Sequence, residues 1–356
     1  MLIGVNSIKV RINMSKTIYY LGAGASYGKR DKDKNIIEGI PLVAEIPEQF
    51  ALFRTCMATA AIPSDNEFVF QQIYRISASD IESARRDMLY DIDQLIKGIQ
   101  EHATIDTYAR KLYLTGREEE FLKLKSVLCA FFLWAQLVYK LDGRYDTFLA
   151  NVLVEGSLEL PNEISIISWN YDSQIEKAFK SYDSNKRLPV FEKNIQGEWP
   201  ELTDNGRIIK INGSATFEDK STLRYIEEDT ENMPVALQVI EFYHDSQVDT
   251  SEMGLDFNTH LSFAWENSAN NKKIKDTLTK TTEDTEIVVV IGYSFPFFNR
   301  VTDRFIFSEM PNLKTVYIQD KETSAVKQAI EAVLPDREIK IIPIDNCDQF
   351  FLPKEL

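Results

Sequence analysis

Apolar positions along the chain follow two rhythms. Short β-branched and aromatic runs, Ile18–Leu21, Ile164–Trp169, Arg207–Ile211, Ile287–Ile291, Lys314–Ile318 and Glu338–Ile342, have the length and composition of strands. Ile287–Ile291 is an unbroken Val/Ile run, the pattern of a central strand covered on both faces. Helical spacing falls between the later runs, at Ser173–Phe179, Thr302–Glu309 and Ser324–Leu334. Alternation of this kind predicts an α/β fold with a doubly wound, mostly parallel sheet. The stretch from Glu45 to Leu153 is different. It has few glycines, and Ile105–Leu114 and Glu118–Tyr139 repeat apolar residues every three or four positions. It predicts a large helical insertion after the first strand. The expected organisation is therefore a sheet domain over 14–44 and 154–356, a helical subdomain over 45–153, and an N-terminal extension over 1–13, since a second methionine, Met14, precedes the first strand.

Composition narrows the function classes. With 356 residues, 44% of them hydrophobic and 27% charged, the chain has enough apolar material for a sizeable core. Forty basic against 55 acidic residues leave a net charge of −15, a field that repels phosphate backbones and argues against direct nucleic-acid binding. A small nucleotide held by backbone amides is still compatible with that field. Cys56, Cys129 and Cys347 are widely spaced with no C-x-x-C pair, so neither a structural zinc site nor a disulfide framework is expected. The longest apolar run, Val127–Tyr139, is too short to span a bilayer and reads as a buried helix, and no signal peptide is recognisable. A cytoplasmic protein, with no membrane role, is the expectation.

The ends of the strands carry the candidate chemistry. The first runs into Gly22-Ala23-Gly24-Ala25-Ser26, a glycine turn of the kind that lets backbone N–H groups approach a diphosphate. The dinucleotide fingerprint of dehydrogenases needs a third glycine where Tyr27 stands, and Gly28 comes one residue late. Beyond the turn, the charge run Lys29–Lys34 reads as an exposed loop, closed by Gly39-Ile40-Pro41. The other strands end in Asn170-Tyr171-Asp172, Asn212-Gly213-Ser214, Gly292-Tyr293-Ser294 and Gln319-Asp320. In a doubly wound sheet ligands collect outside the carboxyl ends of the strands, so five small or polar tails on one edge point to a nucleotide site.

The ordered set GAGAS, GIP, WNYD, NGS and IGYSFP resembles the sirtuin-like NAD-consuming domains of bacterial antiviral defence, which have a Rossmann-like fold. With Phe298-Asn299-Arg300 and Asp303 after it, IGYSFP is similar to the subset that partners a HerA-type ATPase. The resemblance spans Tyr19 to Asp320 except the helical insertion. It implies that Gly22, Ala23, Gly24 and Ser26 cradle the diphosphate, and that Asn170 positions the attacking water beside the nicotinamide ribose. It further implies that Asp172 holds the nicotinamide and ribose region, Asn212 and Gly213 contribute to binding, Gly292 and Ser294 meet the adenosine ribose and phosphate, and Asp320 lies near the adenine. The late Gly28 fits this family better than a hydride-transfer enzyme.

Two departures bear on the chemistry. Asn212 stands where sirtuin deacylases carry a histidine base, and an amide has no useful basicity. The four-cysteine zinc module of those enzymes is also missing. Simple hydrolysis of NAD⁺ to nicotinamide and ADP-ribose depends less on that base, so an NAD⁺ glycohydrolase acting in antiphage defence is expected. It would use NAD⁺ as substrate, with no zinc, in a homo-oligomer partnered by the ATPase. A scaffold that binds NAD or ADP-ribose without cleaving it is the alternative, and a protein deacylase ranks last. His244 and His260 are candidate proton acceptors, whereas His102 falls within the insertion. For Asp172, a helix N-cap before Gln174-Ile175-Glu176 is compatible with a role in the site.

Overall fold

The computed structural model describes residues 15–62, 77–183, 190–191, 208–215, 234–247, 261–266, 272–334 and 337–356. The N-terminal extension and His260 lie outside them. Among the described residues seven strands form one sheet: β1 (Thr17–Leu21), β2 (Ile164–Ser168), β3 (Val190–Phe191), β4 (Ile208–Lys210), β5 (Ile287–Ile291), β6 (Thr315–Gln319) and β7 (Lys340–Ile344). Their order is β3-β4-β2-β1-β5-β6-β7 and every pairing is parallel. The chain leaves β1 towards β2 on one side and later returns to place β5 on the other. β1 and β5 therefore flank the point where the winding reverses, the usual ligand crevice of such sheets.

Side chains alternate across the sheet as the strand period requires. Ile18, Tyr20, Ile167, Ile209, Val288, Val290, Val316 and Ile318 bury one face against α8 (Lys272–Thr282), α9 (Arg300–Ser308) and α10 (Thr323–Val333). Tyr19, Leu21, Ile164, Ile166, Ile208, Val289 and Ile291 bury the other against α5 (Gly143–Val152) and α6 (Gln174–Lys180). With helices on both faces, the fold is a Rossmann-like, doubly wound α/β fold.

Between β1 and β2 the described residues form five helices: α1 (Ile46–Thr59), α2 (Ala78–Glu101), α3 (Ile105–Leu114), α4 (Glu118–Val138) and α5. Small side chains start several of them. Ser77 accepts from the Asp80 N–H at 3.1 Å, Thr104 from Thr107 at 3.1 Å, and Asp142 from Arg144 at 3.0 Å, each satisfying a first-turn donor. The apolar packing does not follow the sequence boundaries. α1 to α4 share a core with α7 (Val235–Gln247), in which Phe50 stacks on Phe131 at 4.2 Å, whereas Tyr145, Phe148 and Leu149 of α5 pack on the sheet. α4 is the one described helix long and apolar enough to cross a membrane, and it is buried within that core.

Candidate functional site

The glycine turn is fixed by its neighbour strand. Residues Ala23–Ser26 make one 3₁₀ turn. The Gly22 N–H donates to Ile291 O at 3.0 Å and the Gly24 N–H to Gly292 O at 2.9 Å. A Cβ on Gly24 would sit 2.6 Å from Gly292 Cα, and one on Gly22 would sit 2.6 Å from Gly292 O. These glycines are therefore needed where two backbones touch, a reason independent of any ligand. Two amides expected to face an anion are engaged by β5 carbonyls, and Ala23 is the exposed residue of the turn. The late Gly28 has its own explanation: with φ +63° it lies against the Glu38 carbonyl, where a Cβ would meet oxygen at 2.2 Å.

The charge run after the turn closes on itself. Arg30, its side chain only 7% exposed, makes a bidentate pair with Glu45 at 2.8 Å and donates to the carbonyls of Tyr27, Glu38 and Ile40. Residues 31–35 are mostly exposed, as the sequence predicts, yet the Asp31 carboxylate organises them by accepting from the N–H groups of Asp33 and Asn35.

Ser26 departs from its expected place in a diphosphate cradle. It is 1% exposed and lies beneath the turn. Its hydroxyl is 2.9 Å from the Tyr145 hydroxyl and accepts from Asn170 Nδ2 at 3.2 Å. The second Nδ2 hydrogen of Asn170 goes to Gly22 O at 2.9 Å. A carbonyl oxygen only accepts, so this bond fixes the amide orientation: both N–H groups are used, and Oδ1 is what Asn170 can offer to another molecule.

Asp172 is buried near the same hydroxyl, which favours its ionised form. The carboxylate accepts from the Gln174 N–H at 3.1 Å, so the capping role holds as well. Burial pushes its pKa up to about 6, against the pull of the Lys210 ammonium. Lys210, only 2% exposed, donates to Asp172 O at 2.7 Å and to Glu176 Oε1 at 2.9 Å. The helical segment grips this loop from behind: Gln136 Oε1 accepts the Ser173 N–H at 2.8 Å, and Gln174 Oε1 accepts that of Asp142 at 2.9 Å.

Asn212 and Gly213 adjoin the same loop. Asn212 Nδ2 reaches Trp169 O at 3.4 Å, and Ala215 N–H donates to Tyr171 O at 2.9 Å. Asn212 is 7% exposed, and its Oδ1 is a buried acceptor with no hydrogen-bond partner among the described residues. Gly292, at φ +58°, closes the crevice from the β5 side, and Ser294 is exposed between it and Phe295, itself at φ +53°. Beneath that segment Trp169 stacks on Tyr293 with ring centroids 5.6 Å apart. The hydroxyls of Tyr20 and Tyr293 both donate to Asp303, which is fully buried and has its pKa pushed up to about 7 by burial.

The structure thus brings Gly22, Gly24, Ser26, Asn170, Asp172, Asn212, Gly213 and Gly292 to one crevice. Asp320, at the end of β6, spends Oδ1 on the Glu322 N–H at the start of α10. His244 is carried by a helix of the helical core. It occupies the last turn of α7 with Asp245 3.5 Å away, next to Tyr243, whose hydroxyl donates to Asp91 of α2 within the helical core. Sequence reasoning missed Tyr145, Arg144, Lys210 and Glu176. Lys210 left a trace, a lysine inside an apolar strand, whereas Arg144 and Tyr145 sit in a helix with no signal of their own. No protein-family model and no curated protein matches the sequence.

Proposed function

We propose that the chain is a cytoplasmic NAD⁺ glycohydrolase that releases nicotinamide and ADP-ribose. The observation that carries this reading is the orientation of Asn170, whose N–H groups are both held by the protein. Its amide oxygen remains as an acceptor at the mouth of the crevice between β1 and β5. Cleavage of the N-glycosidic bond sends the bonding electron pair to the nicotinamide nitrogen and builds positive charge on the ribose. Water then bonds to the anomeric carbon and releases a proton to the solvent. An amide oxygen that orients this water, with an ionised Asp172 close behind, stabilises the developing cation. Nicotinamide leaves as a neutral base, so no strong acid is required. The open acceptor of Asn212 suits a ribose hydroxyl, and as an amide it cannot act as a base. The exposed Ala23 and Ser294 border the crevice and suit the phosphate and adenosine portions.

The motif resemblance adds the biological setting: depletion of NAD⁺ on infection, by a homo-oligomer held in check until a HerA-type ATPase partner engages it. The test is NAD⁺ consumption by the purified protein with and without that ATPase, followed by release of nicotinamide. Loss of NAD⁺ in either condition supports the reading; intact NAD⁺ in both overturns it. Asn212 also favours a second reading, a scaffold that binds NAD or ADP-ribose without cutting it. Calorimetric binding of NAD⁺ that is recovered unchanged would establish that alternative.

A further inference from the structure

The first turn of α5 contributes two side chains to the crevice from outside the recognised motifs. Arg144 donates to Gly24 O at 3.0 Å, Ala25 O at 3.2 Å and Cys347 O at 3.2 Å, and is paired with Asp142 at 2.6 Å. Tyr145, 2% exposed, packs its ring edge-on to Phe350 at 5.0 Å and sets its hydroxyl on Ser26 Oγ at 2.9 Å.

Proton counting fixes the direction of these bonds. Ser26 has one hydroxyl proton, and Asn170 Nδ2 donates to its oxygen. The nearby Asp172 carboxylate only accepts when ionised and so attracts the Ser26 proton. With the Ser26 proton drawn towards Asp172, Tyr145 is the donor to Ser26. Burial and the nearby Asp172 charge hold its phenol well above the ordinary tyrosine range, so it stays protonated. Ser26 Oγ thus accepts from Tyr145 and Asn170 at a buried position. Without the Tyr145 hydroxyl one lone pair empties, the Ser26 rotor is released, and Asn170 loses a fixed acceptor for its second N–H.

We propose that Tyr145 is a positioning residue for Asn170, acting through the Ser26 hydroxyl, so that the last helix before β2 is part of the catalytic apparatus. This rests on the glycohydrolase reading. Misplacing an oriented group by a fraction of an ångström to an ångström costs about tenfold to a hundredfold in turnover. Tyr145→Phe should therefore lower kcat for NAD⁺ by about that factor, with KM within about twofold and an unchanged circular dichroism spectrum. A purely structural role would instead lower the melting temperature and the active fraction together.

Ser26→Ala should lower kcat at least as much, and the double variant should be no worse than Ser26→Ala alone, because both act through one bond. Ser26→Ala carries the kcat test if Tyr145→Phe does not fold. A Tyr145→Phe enzyme with wild-type kcat, or losses that multiply in the double variant, overturns the inference. So does a Ser26→Ala enzyme with wild-type kcat. A wild-type protein that leaves NAD⁺ intact, alone and with its ATPase partner, overturns the glycohydrolase reading and this inference with it, whereas active wild type beside an undiminished Tyr145→Phe removes this inference alone.

Discussion

Gly24 and Gly292 meet backbone to backbone: the Gly24 N–H donates to Gly292 O at 2.9 Å, and a Cβ on Gly292 would lie 2.3 Å from Gly24 Cα. The contact joins the first strand's turn to the β5 turn across the crevice. Gly292 also has φ +58°, a conformation that L side chains adopt at a cost. Gly292→Ala should destabilise the protein by about 1–3 kcal/mol from backbone strain, with overlap against Gly24 adding to it. Denaturant unfolding measures the loss, and a midpoint equal to wild type would show that the turn relaxes freely.

Asn170 offers a test with two substitutions of different meaning. Asn170→Ala should leave the fold intact and reduce NAD⁺ cleavage by about a hundredfold to a thousandfold, the range for removing one group that stabilises developing charge. Asn170→Asp keeps the shape but turns a carboxylate oxygen on the Gly22 carbonyl, acceptor against acceptor. It should lose activity and also melt lower than Asn170→Ala. Calorimetric melting alongside turnover separates the two, and equal melting temperatures would refute the assigned amide orientation.

Asp172 makes stability and activity respond to pH in opposite directions. Its folded pKa of about 6 lies above its ordinary value of 3.8. Between those values the native protein holds a proton that the unfolded chain has released. The stabilisation from this group is complete below about pH 4 and disappears as pH rises through about 6. Asp303, raised from 3.8 to about 7, extends the same decline to about pH 7. In the proposed mechanism the ionised carboxylate of Asp172 is needed, so turnover should instead fall as pH drops through about 6. Asp303→Asn should flatten the decline in stability between about pH 4 and 7 without moving the activity midpoint. Unfolding curves across that range, paired with initial rates, check both halves.

Lys210 sets that midpoint. Removing its charge with Lys210→Met lets burial raise Asp172 further, so the acid limb of the pH–rate profile should move above pH 6. Alone, the substitution also leaves Glu176 as an uncompensated buried charge, at a cost of about 3–5 kcal/mol. Adding Glu176→Gln should restore much of the stability while the midpoint stays high. A double variant with the wild-type profile would show that Lys210 does not govern Asp172.

The architecture was legible in the sequence because buried strands carry little else than apolar residues. Ile164–Ser168 and Ile287–Ile291 fall where the Val/Ile runs placed them, and β6 lies one residue later than read. β7 runs Lys340–Ile344 instead of 338–342: as an edge strand it is half exposed and contains Pro343, so its alternation is blurred. β3 has two residues, too few for any periodicity. The motif residues of the crevice could be read because strand ends are short and punctuated by glycine. The network behind them could not, since Tyr145 reaches Ser26 across 119 residues from a helix whose local pattern says only that one face is buried. His244 falls between strands in the sequence, and its helix packs in the helical core.

The long-range hydrogen bonds of the crevice also determine when it can first exist. Ser26 and Asn170 are 144 residues apart, Tyr20 and Asp303 are 283 apart, and the carbonyls that seat the glycine turn belong to β5. A ribosome-bound chain that has not yet released β5 has the motif but not the site. Premature termination upstream of Ile291 therefore yields a fragment without the assembled crevice. A cell translating this protein holds no assembled crevice until the chain has emerged past β5.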